Sequence, residues 1–462
     1  MYNFVMNETH AYPPNQSFVW TPQPTAFNLI RFITGEFFEA CPEAAAFADR
    51  MRTETGTRFI DWIDHICLNE SHAIAARLRS AGFLKTTHSS TGTVFENALG
   101  VFPPVLLWNG ITEIGIKVES VVDFLAANQM QRDVLGSPLA FLRTCRIFTG
   151  NECTMTIVER HGNRGFNAGN AEPENRIERL LHVEEFRTRP RNFEDEEEGF
   201  EKSNQLIDNA ISDLGRDVTC DIWFAAEREY WMNRNHAARA QKARQDRLGL
   251  GWANHDHHTY RSSRKNFRLL ISTWEKLGFH CRERFYAGRE AGWGAQVMEQ
   301  PVAGIITFND VDLTPDELMG DFSHEGLQET DRLGTVGLWC GLHGDSFLQS
   351  GMHHLEAMFD FDSLVKQLEA DAGIKTMKPF SDFPFLRQAF TEGERWSVAP
   401  GRIARLLKAG LISREQAEQF RTRGAIGSHL ENLERNDGFK GFNQEGVNAI
   451  ITATDPRKNI GA

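Results

Sequence analysis

Histidines are concentrated in one short segment of the chain. His255, His257 and His258 fall within four residues, and Tyr260 and Arg261 follow them. In an extended strand, His255, His257 and Arg261 would share one face, whereas His258 and Tyr260 would share the other. A metal ion on His257 and the guanidinium of Arg261, about 13 to 14 Å further along the strand, could hold an anionic substrate between them. The segment indicates a metal site beside an anion-binding group, with a polar edge strand as the alternative.

Three other segments each carry one candidate ligand. The run FIDWIDHICL, residues 59–68, is rich in β-branched and aromatic residues, which predicts a buried strand that carries His65. Glu159 ends an apolar row on a predicted strand over residues 153–160, and a buried carboxylate needs a cationic partner. Glu299 ends another apolar strand and competes with Glu159 for the role of carboxylate ligand. Taken singly, His65 is explained more simply as a hydrogen-bonded core histidine, and Glu159 as a strand-end carboxylate at the surface.

Evidence for other sites is weaker. His353 and Glu356 have the i, i+3 spacing that serves metal ions on helices, but the sequence places no partner histidine beside them. The sequence contains neither the phosphate-binding patterns GxGxxG and GxxxxGK[ST] nor the hydrolase pattern GxSxG. Cys67 lies in an apolar segment, where a core role is far commoner than a nucleophilic one.

The elements that must position these residues predict an α+β chain with an internal repeat. His65 and His257 each lie on an Asp-His strand, followed by a helix that ends in Gly-Phe, so the two segments look like related units. We expect an N-terminal helical cap over residues 1–57, a first module over 58–162 and a helical insertion over 163–250. A second module over 251–312 and a mixed, mostly helical region over 313–462 complete the expected organisation.

Composition limits the classes of function. The chain has 462 residues, of which 41% are hydrophobic, and a formal net charge of −13, so we expect neither nucleic acid nor membranes as partners. Seven scattered cysteines without a CxxC pair argue against a disulfide framework and a thiolate zinc site. We expect a cytoplasmic protein, and a homo-oligomer is left open.

The two units resemble the vicinal oxygen chelate superfamily of glyoxalases and extradiol dioxygenases. The resemblance rests on the Asp-His strand, the helix that ends in Gly-Phe and the later strands that end in a carboxylate. The stretch 255–300 looks most like the 2-oxoadipate dioxygenase/decarboxylase (hydroxyglutarate synthase) family. In that family a ligand histidine is followed four residues later by a substrate-binding arginine, here His257 and Arg261. The resemblance implies paired βαβββ modules around a metal-binding cleft, with large helical insertions and a helical C-terminal region.

The resemblance also implies a ligand set and a reaction. The remaining ligands would be His65 and Glu159, with Glu299 as the alternative carboxylate, and the substrate would contact Arg261 and Tyr260. Arg261 would be the catalytic residue. The ion would be Fe(II), since two histidines and one carboxylate leave open positions on the metal, with Zn, Ni, Co or Mn as alternatives.

Three functional hypotheses follow. The first is a non-haem Fe(II)-dependent dioxygenase/decarboxylase that uses O2 and a small anionic 2-oxo acid. The second is a redox-neutral, glyoxalase-like isomerase or lyase that uses another divalent metal. The third is a metal-free protein that binds a small ligand in the cleft.

Overall fold

The computed structural model describes residues 19–89, 91–150, 152–166, 169, 174–443 and 455–457. Its strands form a seven-stranded and a nine-stranded sheet. The first sheet contains β1 (Ile63–Asn69), β2 (Leu84–Ser89), β3 (Gly92–Glu96), β4 (Val105–Trp108), β5 (Thr112–Lys117), β6 (Leu142–Thr149) and β7 (Cys153–Arg160). The second contains β8 (His255–Arg261), β9 (His280–Tyr286), β10 (Trp293–Gln300), β11 (Ile305–Asp312), β12 (His354–Met358), β13 (Ser381–Phe383), β14 (Leu386–Phe390), β15 (Glu394–Trp396) and β16 (Ala425–Arg435).

The α-helices precede, connect and cover the sheets. They are α1 (Pro24–Ala40), α2 (Pro42–Arg50), α3 (His72–Ser80), α4 (Val121–Ala127), α5 (Arg176–Thr188), α6 (Glu196–Leu214), α7 (Arg216–Asn233), α8 (His236–Asp246), α9 (Phe267–Lys276), α10 (Thr335–His343), α11 (Phe361–Ala372), α12 (Pro400–Lys408) and α13 (Arg414–Arg423). None of the described helices is both long enough and apolar enough to cross a membrane.

Each sheet is built from two consecutive strand-helix-strand units whose first strands lie side by side. The strand order is β2-β3-β4-β1-β5-β7-β6 in the first sheet and β13-β14-β16-β12-β8-β11-β10-β9 in the second. The first strands pair antiparallel, β1 with β5 and β8 with β12. Within a unit the last strand returns parallel to the first, as β4 does to β1 and β11 to β8. The predicted α+β fold with paired βαβββ-type units is confirmed.

The pairing of the units differs from the expectation. The units that contain His65 and His257 were expected to share one cleft, but they lie in different sheets. The partner of the unit at 251–312 is the unit that begins with β12, in the region expected to be mostly helical. The physical reason is local: within each sheet, the first strand of one unit pairs with the first strand of the unit that follows it. The long segment between β11 and β12, which includes α10, obscures that relation in the sequence.

Helices cover both sheets through apolar contacts. The side chains of α1 and α2 share a hydrophobic core with β1, β5 and β7 of the first sheet. Helices α5 to α8 lie within the segment predicted as a helical insertion, and α7 places Trp223 and Phe224 in the largest core. There Phe224 packs on Trp274 of α9, with ring centroids 5.2 Å apart. One face of the second sheet is therefore sealed by helices.

Candidate metal centre

Four potential metal ligands meet at the middle of the second sheet. His257 lies on β8, His354 and Glu356 lie two residues apart on β12, and Glu431 lies on β16. The strand register sets Glu356 directly between the other two strands, opposite His257 on one side and Glu431 on the other. All four side chains are buried, with between 1% and 6% of their surface exposed. Three adjacent strands thus bring two imidazoles and two carboxylates together.

The hydrogen bonds of His257 define which ring nitrogen is available. Its Nδ1 atom lies 2.7 Å from Oδ2 of Asp256, so Nδ1 carries the proton and donates it to that carboxylate. Arg435, at the end of β16, holds Asp256 from the other side with bonds of 2.8 and 3.0 Å. The Nε2 lone pair of His257 consequently points at Oε2 of Glu356, which it contacts.

The second histidine and the second carboxylate complete the cluster. Nε2 of His354 lies 3.0 Å from Oε1 of Glu356 and 3.4 Å from Oε2 of Glu431. The Nδ1 atom of His354 shares a 2.7 Å hydrogen bond with Nδ1 of His353. Gln388 on β14 donates a 2.9 Å bond to the other oxygen of Glu431 and fixes its orientation.

Burial disfavours the charged form of each histidine and glutamate in this cluster. It lowers the pKa of His257 to about 4, although the Asp256 carboxylate opposes the shift, and lowers that of His354 well below its usual range. It raises the pKa of Glu431 to about 8. Burial and the charge of Glu431 also raise the pKa of Glu356 well above its usual value. Both histidines are therefore neutral near pH 7, the form in which imidazole binds metal ions.

The donor set fits a divalent cation. The lone pair of His257 Nε2 faces the carboxylate of Glu356, and Oε2 of Glu356 is buried without a hydrogen bond among the described residues. Two acceptors that face each other repel unless a proton or a cation lies between them, and two adjacent buried carboxylates add to that repulsion when both are ionised. Neutral imidazoles with carboxylates are ligands that suit Fe(II), Mn(II), Ni(II) and Zn(II).

A small aromatic cavity opens beside these ligands. Its volume is about 70 Å³, and its walls include Phe285, Trp293, Phe308 and Phe442. Arg261 lines the same cavity as His257, on the shared strand face that the sequence predicts. Such a volume admits a substrate of only a few heavy atoms.

Arg261 is the cation of this cavity. Its Nε and Nη1 atoms are buried without a hydrogen bond among the described residues, and Nε lies 3.5 Å from Asp310. Burial raises the pKa of Asp310 to about 7, so this carboxyl group neutralises Arg261 only in part. The guanidinium can therefore receive an anionic group.

The structure does not assemble the predicted set of His65, Glu159 and His257. Among the described residues, the clusters of three or more potential ligands contain neither His65 nor Glu159. His65 bonds to Asp64 at 2.7 Å in the first sheet. Glu159 accepts hydrogen bonds from Arg143 at 2.9 Å and from the backbone of Val121 at 2.8 Å. The two residues lie in the first sheet because their units pair with each other.

Two further predicted residues also have other surroundings. Glu299 lies 3.2 Å from Lys440 and 3.7 Å from Arg282, in an ion-pair cluster on β10. Tyr260 faces the helical layer, where it packs against Trp274 and its hydroxyl donates to Glu227 at 3.3 Å. Alternation along β8 explains this position, since Tyr260 and His257 are an odd number of residues apart. Tyr260 is a core residue and does not line the aromatic cavity.

The first sheet repeats the Asp-His-Arg frame of the candidate metal centre but has no carboxylates at the positions of Glu356 and Glu431. Among the described residues, the carboxylate that pairs with Nε2 of His65 is that of Glu113, at 3.7 Å. Asp64, His65 and Arg160 are arranged like Asp256, His257 and Arg435, and Arg160 bonds to Asp64 at 2.7 and 2.8 Å. At the positions that correspond in register to Glu356 and Glu431, the first sheet has Gly115 and Thr156. A Cβ atom on Gly115 would lie 2.5 Å from the His65 ring, which leaves no space for a carboxylate.

Sequence reasoning missed His354, Glu356 and Glu431 as a group. The segment with His354 and Glu356 is a strand, so the pair on one face is i, i+2 and not the i, i+3 pair that was taken as helical. Glu431 belongs to a buried strand in which His429, Glu431 and Leu433 alternate with Ser428, Leu430 and Asn432. Polar residues inside a buried alternating strand are the signal that would have identified it.

The sequence matches no protein-family model and no curated protein sequence. Similar solved structures include a triple mutant of 4-hydroxymandelate synthase from Streptomyces coelicolor, at 12% identity and a TM-score of 0.30, which covers 87% of this chain and 99% of that one. Methylmalonyl-CoA epimerase from Mycobacterium tuberculosis matches at 11% identity and a TM-score of 0.23, over 40% of this chain and 88% of that one. A Mn(II)-bound glyoxalase from Novosphingobium aromaticivorans matches at 7% identity and a TM-score of 0.19, over 81% of this chain and 82% of that one. Because these TM-scores lie below 0.5, the proposals below rest on the contacts of this chain's own side chains.

Proposed function

We propose that the protein is a non-haem Fe(II)-dependent dioxygenase/decarboxylase that acts on a small 2-oxo acid. The observation that supports the proposal most is that His257, His354 and Glu431 line one cavity together with Arg261, with Glu356 within reach of all three ligands. Two neutral imidazoles and one carboxylate form the ligand pattern of non-haem Fe(II) oxygenases. Bound Fe(II) would supply the oxygen chemistry and two coordination positions for the substrate's keto and carboxylate oxygens.

The chain's own residues bind and orient the substrate. Arg261 receives a carboxylate of the substrate by a charge-assisted hydrogen bond, which its fork of donors makes directional. The aromatic walls exclude water from the cavity and strengthen that interaction. Gln388 and Asp256 keep Glu431 and His257 in their ligating orientations.

Glu356 supports a second candidate function. If its carboxylate is a fourth ligand, an octahedral ion keeps two open positions, enough for a chelating substrate but not for O2 as well. The close contact of Glu356 with His257, and its 3.0 Å separation from His354, favour this arrangement. The protein would then be a redox-neutral isomerase or lyase with Zn, Ni, Co or Mn.

Oxygen consumption separates the two candidates. Protein loaded with Fe(II) should consume O2 with at least one member of a panel of small 2-oxo acids and release CO2, whereas Zn(II)-loaded protein should not. Glu431→Gln should abolish the reaction, and the matched variant Glu159→Gln, in the first sheet, should retain it. Iron-loaded protein that turns over none of the acids would contradict the dioxygenase proposal. Substrate conversion without oxygen, by protein loaded with another divalent metal, would establish the second candidate.

A further inference from the structure

A much larger cavity lies between the two sheets. Its volume is about 620 Å³, within the range of small-molecule binding sites. Residues from β5, α7 and the start of β8 line it, together with the segment that follows β7. None of its described lining residues also lines the aromatic cavity at the metal centre. Asp256 faces the large cavity and its neighbour His257 faces the small one, so β8 separates the two spaces.

The acidic groups of this cavity already have cationic partners. Asp64 and Asp256 are held by Arg160 and Arg435 at 2.7 and 2.8 Å. The other wall carboxylates are also paired: Asp61 with Arg58, Glu119 with Lys242, Asp221 with His161 and Glu229 with Arg187. The carboxylates of the wall are therefore neutralised within the protein.

Three cationic side chains of the wall are not used in this way. Lys117 and Arg164 have neither a hydrogen bond nor an ion pair among the described residues. Arg228 is 8% exposed, its Nε atom has no hydrogen-bond partner, and its Nη1 atom lies 3.3 Å from the neutral His258. Nδ1 of His255, on the same wall, is also buried without a partner.

These groups lie within electrostatic reach of one another. Burial and the charge of Arg164 lower the pKa of Lys117, although the charges of Asp64, Asp61 and Asp256 oppose the shift. Arg228 is buried, Lys117 is half-buried and Arg164 is exposed, so these cations extend from the wall of the cavity to its rim. An anion among them would reduce their mutual repulsion.

We propose that the cavity between the sheets binds a small organic anion through Lys117, Arg164 and Arg228, at a site separate from the metal centre. The ligand class is a carboxylate or a phosphate, since both present several anionic oxygens to these donors. The apolar part of the wall, which includes Ile63, Val158 and Ile306, accommodates a carbon skeleton.

Calorimetric titration of the full chain tests the site. The probes are inorganic phosphate and malonate, with uncharged malonamide as the control. Wild-type protein should bind at least one of the two anions saturably and should not bind malonamide. Lys117→Gln and Arg164→Gln should each weaken that binding roughly tenfold or more. Phosphate binding without malonate binding would assign a phosphate ligand, and the reverse a carboxylate.

Matched variants separate this site from the metal centre and from general charge effects. Arg261→Gln, at the metal centre, and Lys408→Gln, an exposed lysine of α12, should leave the binding unchanged. Arg164 has no described partner to lose, so its variant remains informative if Lys117→Gln fails to fold. The proposal is overturned if wild-type protein binds neither anion, or if Arg261→Gln abolishes binding while Arg164→Gln does not change it. Neither outcome bears on metal-dependent turnover, so the two proposals fail independently.

Discussion

The position of one proton on the His257 ring determines which nitrogen atom is available to a metal ion. Because Nδ1 donates to Asp256, the Nε2 lone pair faces the cluster, and the ring is neutral near pH 7. His65 makes the same bond to Asp64 in the first sheet, yet a glycine lies where the second sheet has Glu356. A histidine oriented by an aspartate is thus a prepared ligand, and it becomes part of a metal site only where further donors join it.

The first prediction concerns the ligands. His354→Ala and Glu431→Gln should each remove most of the bound divalent metal, because each deletes one donor from a buried set. Elemental analysis of purified protein measures the metal content. His65→Ala is the control, and it should leave the metal content unchanged. Loss of metal in the His65 variant with retention in the Glu431 variant would show that the ion lies in the first sheet.

The second prediction concerns Glu159 as a structural group. Burial opposes its ionisation, but hydrogen bonds from His161, the Val121 amide and Arg143 outweigh burial, so its pKa is lowered. Glu159→Gln should reduce the free energy of unfolding by about 3 to 5 kcal/mol near pH 7, since it breaks a buried ion pair. Denaturant titration measures the change.

The pH dependence follows from the direction of that shift. A carboxyl group with a lowered pKa in the folded state stabilises the protein above its unfolded pKa of about 4.5. The stabilisation is lost as the pH falls through the lower, folded value. The difference between wild-type and Glu159→Gln protein should therefore be largest above about pH 4.5 and shrink in acid. A difference that stays constant into acid would contradict the role given to this ion pair.

At the scale of elements, β12 and β16 show what could and could not be read from the sequence. The strands that carry His257 and Glu299 were predicted as strands, and the structure has them as β8 and β10. The segment of β12 was read as helical from the spacing of His353 and Glu356. Which strands lie side by side depends on contacts between distant parts of the chain, and composition and periodicity carry no signal for that.

The link between β8 and β16 gives the third prediction. Arg435 holds Asp256, which in turn orients His257, so Arg435→Lys should weaken metal affinity by roughly 10- to 100-fold through loss of the two-point contact. Arg160→Lys is the matched control, because it breaks the same contact to Asp64 in the first sheet. Competition with a fluorescent chelator measures the affinity. Equal losses in both variants would indicate a general loss of stability instead of a loss of orientation.

At the scale of the whole molecule, the chain contains two sheets of the same plan. Reading outward from the central antiparallel pair, both have the parallel return strand next to the first strand, and the second sheet has two more strands, β13 at its edge and β15 paired with β16. The helical layer with Trp223 and Trp274 covers the sheet that carries the candidate metal centre. The sequence predicts one paired core with large helical additions. The structure instead has two paired cores and the helices that join them.

The fourth prediction concerns the stability of the whole chain. A divalent ion that binds only the folded protein should stabilise it by about 2.7 kcal/mol at a free concentration 100 times its dissociation constant. The melting temperature should rise as a result. The rise should disappear in Glu431→Gln and persist in Glu159→Gln. Differential scanning calorimetry with and without added metal measures it. A rise of equal size in both variants would place the bound ion outside the cluster described above.

The two Asp-His-Arg frames also bear on the evolutionary origin of the chain. Two sheets with the same strand order and the same three-residue frame are what the duplication of a gene for one sheet would leave behind. The frame must then be older than the duplication, because both copies keep it. The difference between Gly115 and Thr156 in one copy and Glu356 and Glu431 in the other must be younger. On that history, both copies inherited the same oriented histidine, and only the second sheet now has carboxylates at these two positions.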